Sequence, residues 1–228
     1  MKAEFIGQLM VAVLLVNFFC LLTARLRPMI YAVALQGILL GLAYPIAHQG
    51  MHLHAGTSAT ADTFDFARVM LLTISLIGIK GFVIPTLIFR ALREVHVEWT
   101  VETLVGFIPS LLIGAVGTGL ALEFAGTLPV RSEHNSLLIV PTSLATVFCG
   151  FLLLVTRRKF ITQVLGYIVL ENGIFIFGLL LVEAMPMLVE VGVLLDLFVG
   201  VFVMGILIYH VSREFPSASS EHISALRE

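Results

Sequence analysis

Of the 228 residues, 59% are hydrophobic and only 12% charged, and the mean hydropathy of +1.05 lies well outside the range of an ordinary soluble domain. A net charge of −2 and a pI near 6.4 supply no basic field for nucleic acid, and no glycine-rich phosphate loop is present to hold a nucleotide. Cys20 and Cys149 fall in apolar runs without CxxC spacing, so neither a disulfide framework nor an iron–sulfur cluster is implied, and the chain reads as carrying no redox centre.

A helical span needs about 20 apolar residues. The first run, Phe5 to Ala24, is too long for a signal-peptide core and is followed by Arg25 rather than a cleavage site, so it reads as a retained span. Pro28 to Ala47 follows, with the amide of Gln36 at mid-depth. The segment His48 to Asp65 reads as a polar outer loop. Its His48, His52, His54, Asp62 and Asp65 are zinc-ligand types, but their spacing fits no familiar site, and a solvated histidine-rich loop is the preferred reading.

The third span, Phe66 to Phe89, carries Lys80 between Gly78 and Gly81. Pro85 removes the backbone bond that the Gly81 carbonyl would accept, so the helix is expected to loosen beside the amine. Thr100 to Phe124 and Leu137 to Thr156 are spans without a central charge. The basic corner Arg157, Arg158, Lys159 then anchors the ends of spans five and six or docks a peripheral subunit. Phe160 to Glu183 contains Glu171, and Met187 to His210 contains Glu190 near its outer end and Asp196 at its centre.

Three charges at mid-membrane need an explanation, because each costs about 2.5 to 3.5 kcal/mol on insertion scales. Desolvation disfavours the charged form, which is the adjustment a proton carrier needs if it is to load and release. Asp196 and Glu171 are therefore read as proton-pathway carboxylates. The alternative is neutral acids hydrogen-bonded between helices, Glu171 with Asn172 as interhelical glue. Gly192 and Gly200 flank Asp196 at i−4 and i+4, a small-residue stripe that turns the carboxylate toward protein. Lys80 reads as an exchangeable amine or a counter-charge to one of the two acids. Glu190 is a relay entrance or an interfacial charge. Gln36 holds water or, the preferred reading, bonds across helices.

The expected architecture is an all-α integral membrane protein of seven transmembrane helices. Arg25, Arg27, Arg90, Arg93, Arg157, Arg158, Lys159, Arg213 and Arg227 fall on one side, against Lys2, Arg68 and Arg131 on the other, which places the N-terminus outside and the C-terminus in the cytoplasm. Residues 1–215 form a single membrane domain and 216–228 a short cytoplasmic tail. Within the domain, 1–95 and 150–215 read as candidate related halves, each with a basic corner followed by two helices polar at mid-depth.

The string Gly166-Tyr167-x-x-Leu170-Glu171-Asn172-Gly173, followed by Leu188-Val189-Glu190-x-Gly192-x-x-x-Asp196, resembles the membrane component E family of hydrogenase-4-type complexes. Tyr31-Ala32 with Gln36, and Lys80 with Pro85, extend the likeness, which runs from span one to span seven and is thinnest across Thr100 to Thr156. That family resembles the small K subunit of respiratory complex I, where two glutamates on successive helices lie on a chain of buried charges. By that likeness Glu171 takes the place of the first and Asp196 of the second, whereas Gln36 and Lys80 leave the first half without an acidic pair.

The resemblance implies a non-redox subunit of a multisubunit energy-converting complex in a prokaryotic cell membrane. Its neighbours would be antiporter-like membrane subunits and a peripheral arm, with nickel–iron and iron–sulfur centres on those partners. The buried charges would serve a proton translocation pathway coupled to electron transfer. Proton rather than sodium is expected because a buried amine repels sodium. The competing expectations are a structural adaptor between membrane subunits and a free-standing small carrier.

Overall fold

The computed structural model describes residues 2–52, 59–94, 101–128 and 138–180, together with Val191, Gly192, Leu194, Leu195, Phe198, Phe202 and Gly205. The described residues are almost entirely helical: α1 Lys2–Leu22, α2 Leu26–His52, α3 Ala59–Leu76, a π-helical segment Ile77–Val83, α4 Ile84–Glu94, α5 Phe107–Thr127, α6 Ile139–Thr156 and α7 Phe160–Leu179. Helix is the only open-ended structure that satisfies every backbone polar group in hydrocarbon, and chains this apolar have no water to fall back on.

Among the described residues, six stretches are long and apolar enough to cross a membrane: Glu4–Leu22, Leu26–Ala47, Phe66–Arg90, Phe107–Thr127, Ile139–Thr156 and Phe160–Leu179. They match the first six expected spans. The third is a composite in which α3, the π segment and α4 follow without a break. The seventh expected span falls mostly outside the described residues, although Val191, Gly192, Leu194, Leu195, Phe198, Phe202 and Gly205 are all helical.

Two sequence expectations need correction. The segment His48 to Asp65 is not a loop throughout, because α2 continues to His52 and α3 begins at Ala59. The fourth span starts at Phe107 rather than Thr100. Residues 101–106 are instead a non-helical segment hydrogen-bonded to two turns: the Val101 N–H donates to the Ala24 carbonyl at 2.9 Å, the Leu104 N–H to the Thr156 carbonyl at 2.7 Å, and the Arg158 N–H to the Glu102 carbonyl at 3.2 Å. Thr103 and Arg157 form an antiparallel bridge there. Gly106, with ψ of 161°, then turns the chain into α5, whose Pro109 stands in the first turn where no N–H is needed.

These bonds draw the α1–α2 turn, the 101–106 segment and the α6–α7 turn to one end of the bundle. That end carries Arg25, Arg27, Arg157, Arg158 and Lys159, so the basic residues cluster in space as they do in sequence order.

Small residues set the helix spacing. A Cβ at Gly150 would collide with the Leu170 backbone, and one at Gly173 would lie 2.6 Å from the Val147 nitrogen, so α6 and α7 meet backbone to backbone. Ser143 Oγ closes the same contact by donating to the Gly173 carbonyl at 3.0 Å. On the other side of the bundle, α2 meets the π segment through Gly37, whose added Cβ would lie 2.7 Å from Lys80 Cβ, and through Gly41 against Ile77.

The buried apolar residues form two clusters along the helices. One, nearer the basic end, contains Cys20, Leu21, Met29, Val33, Ile84, Ile88, Cys149 and Ile168. The other, toward the far end, contains Met10, Val13, Leu40, Tyr44, Leu72, Leu76, Phe175 and Ile176.

Candidate functional site

The two apolar clusters stop short of each other on every core helix, and polar side chains occupy the interval: Asn17 on α1, Gln36 on α2, Lys80 in the π segment, Thr146 on α6, and Glu171 and Asn172 on α7. All six are buried.

Five of the six form one continuous hydrogen-bonded chain. Lys80 Nζ donates to Asn172 Oδ1 at 3.0 Å, and Asn172 Nδ2 donates to Gln36 Oε1 at 3.3 Å. Gln36 Nε2 donates to Asn17 Oδ1 at 3.0 Å, and Asn17 Nδ2 to Thr146 Oγ1 at 2.8 Å. Thr146 finally donates to the Thr142 carbonyl at 2.6 Å, so the chain ends on the backbone of α6.

Its direction has a physical cause. The lysine ammonium has donors and no acceptor, so it requires the oxygen of Asn172. That leaves the Asn172 nitrogen for the oxygen of Gln36, and the same constraint passes to Asn17. Each amide dipole therefore points the same way, and bonds aligned head to tail strengthen one another in a low-dielectric interior. Lys80 also lies 5.5 Å from the Phe175 ring centroid, close enough for a cation–π attraction.

The local backbone delivers Lys80 to this position. Pro85 has no N–H to return to Gly81, and the Ile84 N–H reaches back five residues to the Ile79 carbonyl. The loosening expected from the sequence thus takes the form of seven residues of π-helix centred on the lysine. The wider turn places Lys80 against α2, where only a glycine at position 37 leaves room for its Cβ.

The proposed pathway residues are therefore distributed as follows. Lys80 and Gln36 meet on the same asparagine, and Glu171 is buried one residue before it. Asp196 and Glu190 lie outside the described residues. Gly192, half of the stripe expected to pack around Asp196, is exposed, and a Cβ there would meet nothing within 4 Å. The side chains of His48, His52, His54, Asp62 and Asp65 are also outside the described residues.

Asn17 and Thr146 belong to the site but were missed by the sequence reading. Asn17 left a signal, as an amide deep inside the apolar run of α1, where the other amide, Gln8, stands nearer the N-terminal end. Thr146 left none, since hydroxyls commonly bond back to their own helix, as Thr118 does to Gly114 and Thr156 to Leu152.

Arg157 stands at the corner expected to anchor the ends of spans five and six, and it does so from inside the protein: it is fully buried, donates from Nη2 to the Leu21 carbonyl at 2.7 Å, and lies 5.0 Å from the Phe107 ring centroid. Burial lowers its proton affinity below that of an ordinary guanidinium. It ties the C-terminus of α1 to the starts of α5 and α7. Lys159 beside it does behave as a surface charge, pairing with the exposed Glu102 at 3.2 Å.

Among the described residues, six bilayer-length helices with a buried polar layer between the core ones define a polytopic helical membrane protein. The chain belongs to the same family as the uncharacterised protein Rv0085 of Mycobacterium tuberculosis, with 33% identity over 159 residues, 68% of this chain and 71% of that one. A distant similarity connects it to hydrogenase-4 component E of Escherichia coli K12 and of Shigella flexneri, each 32% identical over 78 residues, 34% of this chain and 36% of the other. No family model matches the chain. No solved structure matches it.

Proposed function

We propose that this protein is a non-redox membrane subunit of a multisubunit, hydrogenase-4-like or complex I-like assembly, and that its buried charges form one segment of a proton pathway along the membrane midplane. The observation that carries the reading is Lys80: a cation held at mid-depth by a glycine contact, a π segment and an oriented amide chain. Intramembrane ionisable groups that are costly to insert and elaborately supported mark ion or proton routes by default. Membership of a multisubunit complex is supported by the similarity to hydrogenase-4 component E, which is named as one component of a larger enzyme.

In this reading the amides do not themselves titrate. Asn172, Gln36 and Asn17 hold the lysine and set its field, and protons move between Lys80, Glu171 and Asp196, with Glu190 at the outer entrance. The cytoplasm faces the basic end. Driving energy comes from electron transfer at nickel–iron and iron–sulfur centres on partner subunits, and antiporter-like subunits continue the path.

A structural adaptor is the second reading, favoured by one observation: the amides bond directly to one another, as interhelical glue would. Glu171→Gln and Asp196→Asn separate the two. Proton translocation into vesicles by the intact complex should fall at least tenfold in each variant, while assembly and electron transfer remain measurable. Two variants that assemble and pump like the parent would leave the adaptor.

A further inference from the structure

Phe175 stands where the far apolar cluster meets the polar layer, and no step of the proton pathway described above uses it. Its side chain is buried, at 8% exposure. The ring centroid lies 5.5 Å from Lys80 Nζ and 6.4 Å from the centroid of Tyr44, the two rings tilted by 40°. The ring is thus held by a second aromatic while it lies against the ammonium.

The order of residues on α7 gives that contact its interest. At about 100° per residue, Glu171 and Asn172 stand about 100° apart around the helix. Phe175, one turn further on, falls between them in angle, about 40° from Glu171. A carboxylate, an amide oxygen and an aromatic face therefore share one narrow arc of α7. All three residues are buried, and Lys80 lies against two of them, at 3.0 Å from Asn172 Oδ1 and over the Phe175 ring.

The chemistry of the ammonium selects an aromatic at this place. It has donors and no acceptor, so moving from one oxygen to another across an alkyl surface would strip it of electrostatic compensation on the way. A π face supplies negative charge density without a directional bond, and a cation stays attracted to it while sliding across. Leucine at position 175 would fill the core and offer none of this.

We propose that Phe175 is a positioning residue for exchange between Lys80 and Glu171: its ring face carries the ammonium as Nζ moves between Asn172 Oδ1 and the Glu171 carboxylate. Resting on the proton pathway already proposed, this adds a moving part to it. The amide chain holds one end of the travel, the carboxylate holds the other, and the ring lowers the barrier between them.

The test replaces Phe175 in the intact complex with phenylalanines bearing one, two or three ring fluorines, which drain the π face and keep the ring's outline. Proton translocation into vesicles, normalised to electron transfer, should fall stepwise with fluorine number, by about fivefold or more at three. The melting temperature should stay that of the parent. F175L, apolar but without a π face, should lose translocation as the trifluorinated protein does.

A fall in F175L with none across the fluorinated series would make the ring a packing element and overturn the proposal, as would full translocation in every variant. E171Q measured alongside separates the two claims. Depressed translocation in E171Q with normal fluorinated proteins would leave the pathway standing without Phe175. E171Q that pumps like the parent would remove the pathway and the proposal together.

Discussion

Asn172 uses its oxygen and its nitrogen on different helices, binding Lys80 through one and Gln36 through the other. Replacing it with leucine keeps the branched heavy-atom outline but leaves a buried acceptor on Gln36 and removes one oxygen from the lysine. Such orphaned groups cost about 1 to 3 kcal/mol each. Thr146→Ala, at the neutral end of the chain, removes an interhelical bond of the kind that averages about 0.6 kcal/mol in membranes. Thermal unfolding in detergent should therefore rank N172L well below T146A, and the reverse order would show that the lysine does not anchor the network. At this scale Lys80, Gln36 and Glu171 were legible because charge and amide stand out against an apolar run. Their partners were not, since which asparagine lies across from which lysine depends on helix rotation. The burial of Arg157 was not legible for a related reason: three consecutive basic residues look alike in sequence, and only the packed helices show which of them reaches the Leu21 carbonyl.

At the scale of elements, the helices are held by close approach rather than by apolar bulk, because lipid tails satisfy a leucine as well as a neighbouring helix does. The α6–α7 pair makes the case most directly. Gly150→Ala pushes a methyl group into the backbone of Leu170, and overpacking of that kind costs about 1 to 3 kcal/mol. Gly119→Ala, on α5 where nothing lies within 4 Å, should leave the melting temperature of the detergent-solubilised protein unchanged or slightly raised. Equal behaviour of the two variants would argue against the backbone contact. The π segment was foreshadowed by Pro85, whose missing N–H is a local fact readable from one residue. The late start of α5 was not, because Val101 and Leu104 are held outside the helix by carbonyls at Ala24 and Thr156 that lie far away in sequence.

For the whole molecule, the clustering of arginines at one end makes orientation measurable. Cys20 and Cys149 are buried, so cysteines introduced at exposed sites would be the reactive ones among the described residues. With the N-terminus outside, T127C at the far end of α5 should react with an impermeant maleimide on intact cells, and R158C only after the membrane is opened. The opposite pattern would invert the topology and move the basic end out of the cytoplasm. Composition and hydropathic run length by themselves determined that this is a helical membrane protein, where its described spans lie within a few residues, and which side chains are too polar for their surroundings. Those are properties of single segments measured against a solvent. Only the tertiary structure decided that Lys80, Asn172, Gln36, Asn17 and Thr146 join into one oriented chain, and that Arg157 turns inward. Hydrogen bonds shorter than about 3.3 Å depend on how five helices are rotated and spaced, and that is set by glycine contacts between residues far apart in the chain.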